Sequence, residues 1–267
     1  MTTPSANASS GVSVFTLNLR FGLAEDGPNG WQYRKKVFPS LFREYEADFM
    51  AFQEVNDFQL ADLKALLPDH RYIGRRRPAP AFWQNNILFY RRGWRLIDSD
   101  YFFLSPTPDI PSRFRKSRWP RQCVLGRFRS ENREIACGNT HFDFDADVQM
   151  RGARLILDRF SRLSRNCPTL LTGDFNASPA GPAHAVFTGG EAGRDSPGKA
   201  GFINTFEPEF PATHHGFTGS GTGDHIDWIL YRGNLRPQSA HIVQDSIDGV
   251  YPSDHFPLRV VFEWESA

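Results

Sequence analysis

Residues 170–179 read LLTGDFNASP. Leu170, Leu171 and Thr172 end an apolar run and Pro179 closes the segment, so the pattern predicts a buried strand that empties into a turn at Asp174 and Asn176. Asp and Asn bond their own backbone and are common turn formers. On these ten residues alone the pair reads equally as turn chemistry or as reaction chemistry. Partners at other strand ends decide between the two.

The rest of the chain offers such partners. Residues 12–19 read as a strand with Asn18 near its end, and DFMAFQEV (48–55) as a short buried strand carrying Glu54. EIACGNTHF (134–142) reaches His141, and Asp254-His255 opens a last strand at 255–263. Asp227 lies inside the apolar run HIDWIL of a strand at 225–231, where an unpaired carboxylate is expensive to bury. NNILFYRR (85–92) and RQCVLGRF (121–128) add two strands with no helical pattern between them, which predicts that they pair antiparallel.

Helical spacing appears at 31–46, with an irregularity near Pro39, at 57–68, and at 147–165, where Val148, Leu155, Ile156, Phe160 and Leu163 share a face. The stretch 178–222 is loop-rich and long enough to carry a function. This mixed order favours an α/β fold with two sheets over a parallel doubly wound one. It is expected as a single domain at residues 12–264, behind a disordered N-terminal tail at 1–11.

Composition sets few limits. The 267 residues are 40% hydrophobic and 23% charged, ordinary values for a globular chain, and 31 Lys plus Arg against 30 Asp plus Glu announce no partner. The basic charge is local: Arg75 to Arg77 form one knot, and Arg113, Arg115, Lys116, Arg118 and Arg121 another. Cys123, Cys137 and Cys167 are odd in number and lack metal-ligand spacing, so free thiols in a reducing compartment are expected. MTTPSANASSG lacks the basic start and apolar stretch of a secretory signal, and no run approaches the ~20 apolar residues of a membrane span. A cytoplasmic protein is expected.

Strand ends on one side of a sheet converge, so these polar groups can share a pocket. Two or three carboxylates with an Asn oxygen suit a hard divalent ion, Mg²⁺ or Mn²⁺. Nearby histidines suit phosphate binding and stabilisation of developing charge, and an Asp–Asn pair can activate and orient water. Together they are the parts of metal-assisted phosphoester hydrolysis. No HExxH supplies a zinc site and no GxSxG supplies a nucleophile elbow. GSGTGD (219–224) lacks the Walker lysine and a following helix.

FTLNLR, AFQEV, NTHFD, GDFNASP, HIDWIL and YPSDHFPL, in that order over residues 15–258, resemble the endonuclease/exonuclease/phosphatase superfamily of DNase-like phosphoesterases. The resemblance implies a four-layer sandwich of two mixed β-sheets packed face to face with helices outside. It implies that Glu54 is the main Mg²⁺ ligand, with Asn18 and Asp254 close to it. It assigns water activation or leaving-group protonation to Asp174, phosphate or water holding to Asn176, and phosphoryl contact to His255 oriented by Asp227. His141 would stabilise developing charge. NTHFD stands where the apurinic-site branch carries a Tyr segment, which places the chain nearer the DNase, deadenylase and sphingomyelinase branches and small bacterial members. His225 stands where the family often has Arg.

A nuclease is the expected activity, with a basic segment for the phosphate backbone and Phe82, Trp83, Phe114 and Trp119 for base stacking. Arg113, Arg115, Arg118, Trp119 and His215 are the expected substrate contacts. A phosphatase or phosphodiesterase of a small phosphoester, such as a lipid headgroup or inositol phosphate, is the alternative. A catalytically inactive binding module would have no need to keep the buried acids together.

Overall fold

The computed structural model describes residues 11–76, 82–189 and 201–265. The expected tail lies outside them except for Gly11, which begins the first strand, and Arg77 of the basic knot also lies outside.

One device is used twice. β1 (Gly11–Asn18) and β2 (Phe49–Val55) run parallel, joined through α1 (Trp31–Arg34) and α2 (Phe38–Tyr45). β7 (Arg133–His141) and β8 (Thr169–Asp174) run parallel, joined through α4 (Ala146–Leu163). Parallel neighbours must leave the sheet at the same edge, so Asn18, Glu54, His141 and Asp174 emerge on one side, as ligand-binding groups do at the carboxyl ends of parallel strands.

Antiparallel strands complete each sheet. β3 (His70–Ile73), β4 (Asn85–Arg91), β11 (Leu235–Ile242) and β12 (Leu258–Trp264) join the first, in the order β11-β12-β1-β2-β4-β3. β5 (Arg95–Phe103), β6 (Gln122–Ser130), β9 (Ile203–Asn204) and β10 (Asp227–Arg232) join the second, in the order β5-β6-β7-β8-β10-β9.

Strand alternation sorts the core into three slabs. Val14, Phe49 and Leu88 meet Phe128, Cys137, Leu170 and Ile229 between the sheets. Their neighbours Phe15, Leu17 and Phe52 face outward onto Phe38, Leu41 and Phe42 and onto Leu60 and Leu63 of α3 (Asp57–Leu66). Leu125, Leu171 and Trp228 pack onto Ile156 and Phe160 and onto Val186 and Phe187 of α5 (Pro182–Thr188). Three slabs between four layers are the expected sandwich. The three cysteines are free, Cys123 and Cys137 buried. No described helix is long and apolar enough to cross a membrane.

Four local expectations change. The helix expected at 31–46 divides into α1, a 3₁₀ turn at Lys35–Val37 and α2, with Pro39 in the first turn of α2, where a missing N–H is tolerated. β4 and β6 do not pair. β5 intervenes, and the two strands lie in different sheets. β5 escaped notice because RLIDSDYFF is half-exposed and polar over most of its length, as an edge strand is. Finally, β12 begins at Leu258, so Asp254 and His255 stand on the loop leading into it, and α5 lies within the stretch read as loop.

Candidate active site

Register fixes the first three groups. On adjacent strands His141 pairs with Asp174 and Asp174 pairs with Asp227, so an imidazole and two carboxylates stand side by side. The backbone is bent to aim the rest. Glu54 has φ 62° where β2 shifts register against β4, Asn176 has φ 46° and Arg20 φ 60°. Such left-handed residues concentrate where function holds them against strain. Gly173 has φ 155°, and a Cβ there would meet the Thr140 carbonyl oxygen, so the glycine before Asp174 is required by the close approach of β7.

Asp174 is the centre. Asn18 reaches over from the other sheet and donates Nδ2–H to Asp174 Oδ2 at 2.8 Å, while the Asn176 backbone N–H donates to Oδ1 at 2.9 Å. His141 Nε2 lies 3.3 Å from Oδ2 and His255 Nε2 3.9 Å. Burial and then the neighbouring Asp227 charge push the Asp174 carboxyl up to about 7, against the lowering effect of His255 and the hydrogen bonds.

The two histidines are driven opposite ways. Burial opposes a charge on His255, but the Asp227 ion pair, with Nδ1 to Oδ2 at 2.8 Å, and the Asp174 charge push it up to about 10. It is a cation at neutral pH. His141 is held well below its ordinary value by burial, by Arg121 and by His255. Arg121 Nη1 lies 3.0 Å from His141 Nδ1, while Nε2 lies 3.3 Å from Asp174 Oδ2 and 3.1 Å from Asn176 Nδ2.

Glu54 Oε2 accepts the Phe21 N–H at 2.6 Å and Oε1 lies 4.0 Å from His141 Nδ1. Asp254 accepts from Ser253 Oγ at 3.1 Å and lies 3.6 Å from Arg20, whose guanidinium also feels the Glu54 charge. Burial alone would raise the Asp254 carboxyl, but His255, Arg20 and His214 hold it below its usual range. Two compact groups of ligand-type atoms occur among the described residues, His214 with Asp254 and His255, and Asp174 with Asp227 and His255. Glu54 belongs to neither. His255 is common to both, yet as a cation bonded to Asp227 it is suited to an anion, not to a metal ion. The Glu54 and Asp254 carboxylates and the Asn18 amide oxygen, which also accepts the Arg20 N–H at 2.9 Å, are hard oxygens of the kind that suits Mg²⁺ or Mn²⁺.

The expected substrate residues separate. Arg115, Arg118 and Trp119 are exposed, and the Arg118 and Trp119 backbone N–H groups are held by Asp143 at 2.8 and 3.3 Å. Arg113 donates to the Ser117 carbonyl and Lys116 lies 3.8 Å from Asp145. Arg121 leaves this exposed segment and enters the site, only 8% exposed. His215 is buried, stacked on Phe256 at 3.9 Å and pushed down to about 4 by burial, and its backbone N–H donates to the Asp254 carbonyl.

Sequence reading missed Arg20, His214 and the site role of Arg121. It also missed Thr213, whose Oγ accepts the Ile226 and Asp227 N–H groups at 3.0 Å and whose carbonyl accepts the Phe256 N–H at 2.7 Å, tying both loops together. The doublet His214-His215 was the available signal for one of these. Behind the site Gln53 donates to Asn139 Oδ1 at 2.6 Å, a buried polar clamp between the sheets. Beside His141 and Arg121 opens a cleft of about 280 Å³ walled by Phe21, Phe82, Trp83 and Trp119.

Solved structures share this architecture. An endonuclease/exonuclease/phosphatase family protein from Bacteroides thetaiotaomicron superposes with a TM-score of 0.84 at 25% identity, covering 96% of this chain and 98% of that one. A mannosyl-6-phosphatase from the same species gives 0.84 at 26% identity, covering 95% and 100%. D. rerio TDP2 in complex with a single-strand DNA product gives 0.74 at 14% identity, covering 95% and 99%, a likeness of fold alone. No curated protein matches the sequence. The model of the Endonuclease/Exonuclease/phosphatase family matches residues 15–255, and the chain belongs to that family.

Proposed function

We propose that the protein is a divalent-metal-dependent hydrolase of small phosphoesters. The observation that carries this is the setting of Asp174, a carboxyl raised to about 7 and held among Asn18, His141 and the cationic His255. A base titrating near neutrality combines a usable basic fraction with real proton affinity, so Asp174 takes the proton of the attacking water. His255, held by Asp227, would face the phosphoryl oxygens as a fixed positive charge, and the His141 ring and the Asn176 amide, 3.1 Å apart, supply further preorganised contacts. A divalent ion at Glu54, Asp254 and the Asn18 oxygen would neutralise charge developing on the phosphoryl group.

Two features support a small substrate. Much of the basic segment is engaged by the protein itself, through Ser117, Asp145 and His141. The mannosyl-6-phosphatase likeness points the same way. A nuclease is the second reading, favoured by the exposed Arg115, Arg118 and Trp119. The test is a panel with Mg²⁺, Mn²⁺ or EDTA on p-nitrophenyl phosphate, its bis ester, sugar and inositol phosphates, and single- and double-stranded nucleic acid. Metal-dependent turnover of the small monoesters is expected. Turnover of polynucleotide alone would replace this reading with the nuclease, and inactivity on every substrate would overturn both.

A further inference from the structure

Arg34, the last residue of α1, is 0% exposed. It shares a helical face with Trp31 at i and i+3, which turns both side chains inward while Tyr33 stays exposed. Its guanidinium lies 5.6 Å from the Trp31 ring centroid and 5.5 Å from that of Phe217, within the range of cation–π attraction. Nε donates to the Asn29 carbonyl at 2.5 Å, and Nη1 donates to two more carbonyls, Leu19 at 3.2 Å and Pro252. None of these partners is a carboxylate, and Nη2 is buried without a hydrogen bond. Burial pushes the group down to about 10, while the charges of Asp254, Asp26 and Glu54 act through space to raise it, so it stays a cation at neutral pH. Burying a cation in this way is costly. An apolar side chain would fill the same space without that cost but would orphan the carbonyl oxygens.

The two carbonyls on Nη1 belong to the segments that carry candidate metal ligands. Leu19 follows Asn18, and Pro252 stands two residues before Asp254. Ser253 closes the same joint, its hydroxyl oxygen 2.6 Å from the Asn18 carbonyl oxygen and 3.1 Å from Asp254 Oδ1. Resting on the metal assignment made above, we propose that Arg34 is a positioning residue for the divalent ion. It fixes the spacing of Asn18 and Asp254, and so sets how tightly and how selectively the ion is held. Two effects of the guanidinium oppose each other. Its charge repels a divalent cation, so loss of the charge alone tightens binding of any such ion. Its bonds hold the donors in place, so loss of the bonds loosens binding, most of all for the ion least tolerant of misplacement. Mg²⁺ demands a near-octahedral shell at ~2.1 Å, whereas Ca²⁺ accepts ~2.3–2.6 Å in flexible geometry. Selectivity for Mg²⁺ over Ca²⁺ therefore reports position and cancels charge.

Isothermal titration calorimetry of the full chain with Mg²⁺ and with Ca²⁺, without substrate, reads both affinities. Arg34→Lys keeps the charge and loses the planar fork, and Arg34→Met loses both. Each should raise the Mg²⁺ Kd about tenfold, the low end of what groups behind a metal ligand contribute, and the Ca²⁺ Kd by clearly less. Ser253→Ala removes one hydroxyl of the joint and should shift selectivity the same way. It carries the test where circular dichroism shows an Arg34 variant unfolded. Leu41→Ala, a core truncation on α2 that leaves the joint intact, should lower Tm and keep both affinities within about twofold. Unchanged affinities in the joint variants, or tighter binding of both ions by Arg34→Met, overturns the proposal. So does an equal loss for Mg²⁺ and Ca²⁺, which would be loosening without positional selectivity. Wild-type protein that binds neither ion defeats the metal assignment and the proposal with it, whereas wild-type binding with unchanged variants defeats the role of Arg34 alone.

Discussion

Around Asp174 the polar atoms are buried and bonded chiefly to one another, with Asp227 Oδ1 left unpaired, whereas across His141 the cleft presents Phe82 and Trp119 more than half exposed. The first region is made by sheet register, with His141, Asp174 and Asp227 on adjacent strands and Asn18 reaching from the facing sheet. The second is walled largely by residues outside the strands, Phe21, Phe82, Trp83 and Trp119. Register cannot vary by a fraction of a residue, so damage to the first region should be severe and cooperative. Loop-borne walls change independently, so damage to the second should be graded and substrate-dependent.

The sharpest break falls at the centre. Asp174→Asn removes the base and keeps the shape, and kcat should fall by about 10²–10⁴-fold, the range such groups contribute. Glu54→Gln should fold equally well by circular dichroism and lose metal-dependent turnover at low Mg²⁺. Wild-type rates for either variant would move the chemistry elsewhere.

Cooperativity is read next from Asp227 and His255. Each single substitution should cost about 10²–10³ in kcat, as loss of a preorganised charge-stabilising group does. The double variant should be little worse than the worse single one, because the two act as a unit. The pH profile carries the sign. Activity needs Asp174 ionised and His255 charged, so it should rise through about 7 and fall through about 10. Asp227 raises both groups, by repulsion of one carboxylate and attraction of the imidazolium. Asp227→Asn should therefore shift both limbs to lower pH. A profile that only loses height would show that Asp227 has no electrostatic part.

Gly173→Ala tests register without touching a polar side chain. A non-glycine residue at φ 155° should be strained by about 1–3 kcal/mol, and the Thr140 carbonyl would also have to move. Thermal denaturation should show a lower Tm, with kcat reduced because Asp174 moves with its strand. An unchanged Tm would mean that β7 and β8 yield more readily than their pairing implies.

The same contrast explains what the sequence disclosed. Asn18, Glu54, His141, Asp174 and Asp227 interrupt apolar strands, and a polar group there stands out because burial without a partner is costly. His255 and Asp254 were legible through the ordered resemblance. The edge strands β3, β5 and β11 were not, since half-exposed strands lack the apolar run. Arg121 read as one more charge in a basic segment. Only the fold shows that its neighbours stay in water while it bonds His141. His214 and Thr213 act through loop contacts set by tertiary structure, which no local spacing records.

The smallest effect is expected at Arg115 and Arg118, and it separates the two substrate readings. Neither guanidinium has an ion pair among the described residues, and both residues are exposed. A phosphate backbone laid along them would release counterions, with log Kd shifting by about 0.7–0.9 per decade of salt for each phosphate neutralised. If the substrate is small, Arg115→Ala with Arg118→Ala should leave the KM for p-nitrophenyl phosphate within about twofold, because unpaired surface charges contribute little. Polynucleotide binding, weak in the wild type, should then show the same shallow salt slope in the double variant. A steep wild-type slope that falls by one or two phosphate equivalents in the variant, with KM for polynucleotide rising in parallel, would make this segment a backbone-binding surface. The graded second region would then extend from the cleft along the loop, and the enzyme would be a nuclease.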